Sequence, residues 1–183
     1  FMFILATLGK KIKMTSLYSL KQNFLKAIPL IFLYYLSLNS SSIFQEFPNF
    51  DVFSFNIQMI IIYFYTLKFP EYLDLGHVFL IGILKDALIG TPLGTTSLSY
   101  LVLCFVAAYI RNHTLRPSLT NGWFSFVPAL FFSYFIYFLI INNFSNLSFY
   151  YIELLRVIFF TFLFFPIFYY FLILHMKLYN KDR

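Results

Sequence analysis

Residues 151–174 read YIELLRVIFFTFLFFPIFYYFLIL, and no Lys, Arg, Asp or Glu falls between Arg156 and Lys177. About 20 consecutive apolar residues carry a helix across the ~30 Å hydrocarbon core of a bilayer. This stretch is long enough to cross alone, with Pro166 as the expected site of a kink. Composition decides whether such a segment lies in a soluble core or in lipid. Of 183 residues, 61% are hydrophobic and 11% charged, against roughly 25% charged in an ordinary soluble domain. With 13 Lys and Arg and 7 Asp and Glu, the chain cannot cover a water-facing surface. A soluble globular domain, a disordered chain and a disulfide scaffold are excluded. The 28 Phe and 15 Tyr against a single Trp follow a Phe, Ile, Asn, Lys and Tyr bias typical of AT-rich coding, so aromatic abundance says little about function. Cys104 is the sole cysteine; it lies in an apolar run and supports no redox or metal role.

Outward from this stretch, five more apolar runs are bounded by polar clusters. They extend from about Phe24 to Leu38, Val52 to Leu67, Leu75 to Ile89, Leu93 to Ile110 and Trp123 to Ile141. Pro29 sits near the start of the first, where proline is tolerated, and Pro128 interrupts the fifth. Basic residues sort by loop. Lys21 and Lys26 precede the first span, Lys68 follows the second, Arg111 and Arg116 follow the fourth, and Lys177, Lys181 and Arg183 follow the sixth. The alternate loops, 39–51, 90–94 and 142–150, carry no Lys or Arg. Positive loops remain cytoplasmic. The expected fold is therefore an all-α membrane protein, six transmembrane helices in one bundle, with both termini cytoplasmic. Residues 1–13, FMFILATLGKKIK, hold an apolar part too short to span. They are set apart as an N-terminal extension, with Met14 the expected start, and residues 14–183 form a single six-span domain. The net charge of +6 is then a topology signal, not a nucleic-acid footprint.

Charge inside a bilayer costs about 2.5–3.5 kcal/mol per residue on insertion scales, so the few intramembrane charges are the candidates for function. Glu153 and Arg156 are three apart on a helix and can pair, either anchoring the helix end at the interface or contacting a partner. Lys85 and Asp86 fall late in the third span. The lysine is expected to snorkel outward along its stem. The shorter Asp86 is expected to face the bundle interior, bonded to the hydroxyls of Thr95, Thr96 or Ser97 across a tight turn, in a structural or a partner-binding role. The turn, Gly90 to Gly94, reads GTPLG. Its formal GxxxG spacing is that of a helix-dimer motif, but Pro92 favours a turn. Gly76 and Gly82 are expected close-packing points, and Gly122 with Trp123 an interfacial start for the fifth span. The chain holds no HExxH and no GxSxG, and so no zincin or nucleophile-elbow signature. His77, His113 and His175 are isolated and near one face. No enzymatic activity, cofactor or metal is expected.

The stretch Phe79 to Gly94, FLIGILKDALIGTPLG, resembles the rod shape-determining protein MreD family at Gly82, Asp86, Gly90, Pro92, Leu93 and Gly94. There an apolar helix with a Gly and then an Asp runs into a Gly, Pro, Leu and Gly turn. Leu67, Lys68, Pro70 and Glu71 resemble the family's loop after the second span. Lys85 departs from the pattern, at a position where an apolar residue is expected. The motif covers about a fifth of the chain; the rest is similar only in size and layout. The resemblance implies a non-enzymatic inner-membrane subunit of the bacterial cell-wall elongation machinery, needed for rod shape. Its implied partners are MreC, the MreB filament, the RodA polymerase and the elongation-specific penicillin-binding transpeptidase. The family's fold resembles the substrate-binding (S) subunits of energy-coupling-factor vitamin transporters, which supplies the alternative. Such a subunit requires polar side chains converging on an outer pocket.

Overall fold

The computed structural model describes residues 27–39, 56–113, 119–144 and 151–180. Among them the chain forms six α-helices, one short 3-10 helix and no strand. The helices are α1 (Ala27–Leu38), α2 (Ile57–Lys68), α3 (Leu75–Ile89), α4 (Thr95–His113), α5 (Leu119–Phe144) and α6 (Tyr151–Asn180). The 3-10 helix Pro70–Tyr72 links α2 to α3. The expected extension 1–13, its Met14 start, Lys21, Lys26, Arg116 and most of the two longer non-basic loops lie outside the described residues.

Each expected apolar run with described residues contains a helix, and the third run coincides with α3. The others shift at their ends for local reasons. Asn56 begins α2 by accepting the Met59 N–H on its Oδ1 at 3.3 Å, an N-cap. The start of α4 falls at Thr95, because Gly94 adopts φ +98° and cannot continue a right-handed helix. Pro128 and Pro166 are both accommodated inside continuous helices, α5 and α6.

The helices arrange around α2. Every residue from Gln58 to Leu67 is buried, so α2 is apolar on nearly all faces and enclosed on all of them, as expected for an interior helix. It packs against α4 on one side and α6 on the other, while α4 also contacts α3 and α5. An aromatic cluster fills the junction of α2, α5 and α6. The Phe126 and Phe165 rings stack at 4.5 Å between centroids, and Tyr63 lies 4.7 Å from Phe126. Trp123 donates its indole N–H to Phe162 O at 3.0 Å, fixing α5 on α6. Ser99 and Ser133 clamp α4 to α5 reciprocally: their hydroxyls meet at 2.8 Å, and Ser133 donates to Ser99 O at 2.6 Å. Small hydroxyl residues at a helix contact allow close approach and supply hydrogen bonds across it.

Two segments are long and apolar enough to cross a membrane, Asn121–Asn143 in α5 and Leu154–Leu174 in α6. Their windows are only 33% and 17% buried, whereas the core helix of a soluble protein is mostly enclosed. α1 and α2, at 12 residues each, are apolar but span only about 18 Å.

Gly82 and Gly122 play different parts. A Cβ at Gly82 would collide with the Cα and N of Ser97 in α4, so this glycine sets the α3–α4 separation. A Cβ at Gly122 would meet only ordinary contacts, 3.6 Å from Leu67. Gly76, the other expected close-packing point, is exposed, and its Cβ would meet only the Asp74 carboxylate, so it is not a helix–helix contact. Gly82→Ala should lower stability by about 1–3 kcal/mol, the usual cost of overpacking, while Gly122→Ala leaves it within about 0.5 kcal/mol. Thermal unfolding of the two variants in one detergent measures the difference.

Candidate functional site

Asp86 is the fold's best-connected carboxylate. It sits one turn before the end of α3, where Gly90 adopts φ +82° and returns its N–H to Asp86 O at 2.9 Å. Thr91 N–H donates to the same carbonyl at 3.2 Å, so the residue's backbone closes the helix C-terminus. Its side chain crosses the turn. Oδ1 accepts the Thr91 hydroxyl at 2.9 Å, Oδ2 accepts Gly94 N–H at 2.9 Å, and Thr96 N–H reaches both oxygens at 3.0 and 3.1 Å. The side chain is fully enclosed, at 0% exposure. A carboxylate at this point satisfies N–H groups that an α4 N-terminus leaves unpaired and meets the positive end of the helix dipole.

The expected inward, turn-crossing Asp86 is what the structure has, but its partners differ. Only one is a hydroxyl, that of Thr91; the others are backbone amides, because the first turn of α4 points its N–H groups at the carboxylate. Thr95 instead donates its hydroxyl to Pro92 O at 2.6 Å, and Ser97 donates to Phe79 O at 2.9 Å. Gly90 and Gly94 both lie in the left-handed region, which makes GTPLG a turn and not a helix-dimer face. Pro92 is half-buried and serves through its carbonyl. Leu93 is 72% exposed and packs on nothing within the hairpin. Of the six predicted positions, Gly82, Asp86, Gly90, Pro92 and Gly94 thus build one hairpin, and Leu93 lies exposed in its turn.

Lys85 does not snorkel outward. Its ammonium turns into the bundle, donating to Gln58 Oε1 at 2.8 Å and to the Tyr100 hydroxyl at 3.1 Å. The reason is a polar cluster that apolar patterning conceals. Tyr100 donates to Gln58 Oε1 at 2.7 Å, and Gln58 Nε2 donates to the Ser37 hydroxyl at 2.7 Å and to Leu33 O at 3.4 Å. Gln58 therefore uses both N–H groups and both acceptor positions, drawing α1, α2, α3 and α4 together. Among the described residues no carboxylate lies within ion-pair distance of Lys85. Asp86 is its sequence neighbour, but its oxygens are taken by the turn. Beside this cluster, the enclosed Tyr134 hydroxyl lies near Asn56 and Thr161 without hydrogen-bond geometry to either. Sequence reading missed Gln58, Tyr100 and Ser37. Gln58, an uncharged amide inside the run IQMIIIYFYTL, was the available signal.

Glu153 and Arg156 both lie in the first turns of α6; the Glu153 side chain, and with it the expected ion pair, lies outside the described residues. His77 pairs with Asp74 at 3.2 Å on an exposed surface, and His113 contacts Tyr109 O at 2.9 Å. The His175 side chain also lies outside the described residues. The buried Cys104 thiol meets the Thr66 hydroxyl at 3.5 Å.

Compared with known proteins, the chain matches no family model, no curated protein and no solved structure.

Asp86→Ala leaves two backbone amides and a hydroxyl unpaired in an enclosed site and should cost at least about 3 kcal/mol; Asp86→Asn, which keeps one acceptor oxygen, should cost less. In the polar cluster, Gln58→Leu removes the acceptor shared by Lys85 and Tyr100 and the donor to Ser37, and should cost about 2–3 kcal/mol. Lys85→Met should stay within about 1 kcal/mol of the parent or exceed it, because removing a cation without an ion partner relieves a desolvation cost. Melting curves of the four variants in one detergent check the order.

Proposed function

We propose that the chain is a multi-pass protein of the bacterial inner membrane, a six-span bundle with both termini cytoplasmic. In this reading it serves as a non-enzymatic subunit of the cell-wall elongation complex. Three features support the bilayer setting. α5 and α6 exceed the ~30 Å core, at about 39 and 45 Å, and both expose large apolar side chains such as Phe131, Phe159 and Phe171. α4 buries Thr95, Thr96, Ser97 and Ser99 in its first turns while Leu98, Phe105 and Tyr109 are exposed, the reverse of a soluble helix at those positions. The alternation of basic and non-basic loops supplies the orientation.

The observation that carries the assignment is the α3–α4 hairpin. The positions at which the sequence resembles the MreD family, Gly82, Asp86, Gly90, Pro92 and Gly94, work as one unit: a close helix contact, a carboxylate and two left-handed glycines. A pattern with a joint physical purpose is a firmer basis for resemblance than separate residue matches. The partners in this reading are MreC and the other elongation proteins, MreB, RodA and the penicillin-binding transpeptidase, bound by helix-to-helix packing.

One observation favours the second reading, a substrate-binding subunit of an energy-coupling-factor vitamin transporter. Ser37, Gln58, Lys85 and Tyr100 converge from four helices, and the charge sorting places all four in the outer half of the bundle. Depletion in a rod-shaped host distinguishes the readings. Rounded cells and loss of MreC from the membrane complex are the expected result. Unchanged rods with reduced uptake of a labelled vitamin would select the transporter.

A further inference from the structure

A groove of about 620 Å³ runs along the outside of α4, where it meets the end of α2, the 3-10 helix and the start of α3. Its walls include Pro70, Leu75, Leu98 and Phe105, and Arg111 with Thr66 closes one end. Leu75, Leu98 and Phe105 are exposed, so the groove opens sideways, toward the region that the proposed embedding fills with lipid. The polar end is unlike the rest. Arg111 donates from Nη1 to Thr66 O at 2.9 Å, which places a cation on the C-terminal carbonyls of α2. A guanidinium has five N–H donors in a rigid fork. Among the described residues, Thr66 O is its only hydrogen-bond partner, and the side chain is partly exposed. Charge sorting assigns this end of the groove to the cytoplasmic face. An apolar groove that ends at an interfacial cation with open donors matches an acyl chain joined to an anionic phosphate.

We propose that this groove is a binding site for one anionic phospholipid, its acyl chain along α4 and its phosphate on Arg111. Basic pockets between helices at the cytoplasmic face hold anionic headgroups by such contacts. The inference rests on the bilayer embedding proposed above and is independent of which partner or solute the bundle serves.

The test is native mass spectrometry of the full chain reconstituted in nanodiscs of equal phosphatidylglycerol and phosphatidylcholine. One phosphatidylglycerol should be retained per chain, preferred over phosphatidylcholine by about fivefold, the equivalent of about 1 kcal/mol for one interfacial basic residue. Arg111→Gln, which removes the charge and keeps a polar side chain, should abolish the preference. Leu98→Trp, which fills the groove and leaves Arg111 in place, should reduce retention of both lipids. Equal retention of the two lipids by the parent, or an undiminished preference in Arg111→Gln, overturns the lipid site and leaves the embedding standing. Failure of the folded parent to enter nanodiscs overturns both.

Discussion

The Asp86 carboxylate holds two helices at once. Its backbone carbonyl closes α3, and its side chain opens α4. Helix ends leave four donors and four acceptors without partners, and away from water each such group must be satisfied by the protein itself. A turn as short as Thr91 to Gly94 leaves little backbone with which to do so. One residue resolves the problem for both helices: its enclosed carboxylate accepts from Thr91, Gly94 and Thr96 at the start of α4, and its carbonyl accepts the Gly90 and Thr91 N–H groups at the end of α3. Gly82 then allows α3 to lie directly on Ser97. The α3–α4 pair in turn presents Lys85 and Tyr100 to α2, so the hairpin geometry extends into the centre of the bundle.

α2 depends on that arrangement. It is enclosed along Gln58 to Leu67, and its one amide sits where Ser37, Lys85 and Tyr100 can all reach it. A buried amide with every donor and acceptor used favours one packing of its neighbours over others, because any slip leaves polar groups stranded. The aromatic contacts at the middle of α2 are less directional. Tyr63, Phe126 and Phe165 fill volume, with Tyr63 OH donating to Gly122 O at 3.3 Å as their polar tie.

The helical segments and the turn were legible from apolar runs, Gly90, Pro92 and Gly94. Asp86 was legible as an inward-facing residue because its short side chain cannot reach an interface. Its true partners were not, since backbone amides carry no sequence signal; only the path of the chain through Gly94 points them at the carboxylate. Lys85 went the other way from expectation. Snorkelling assumes that no polar group waits inside, and Gln58 and Tyr100, remote in sequence, supply two.

Composition and periodicity by themselves determined that this chain is helical, apolar and unsuited to a water-facing surface, because hydrophobicity is a property of residues counted singly or along one helix. They also determined the α3–α4 turn, where glycine and proline act through local backbone geometry. Tertiary structure alone decided that α2 is central, that Gly82 and not Gly76 is the close contact, and that Lys85 turns inward. Each of these depends on which atoms lie across a helix boundary, and a distance between residues far apart in the chain is not encoded in the pattern of either segment alone.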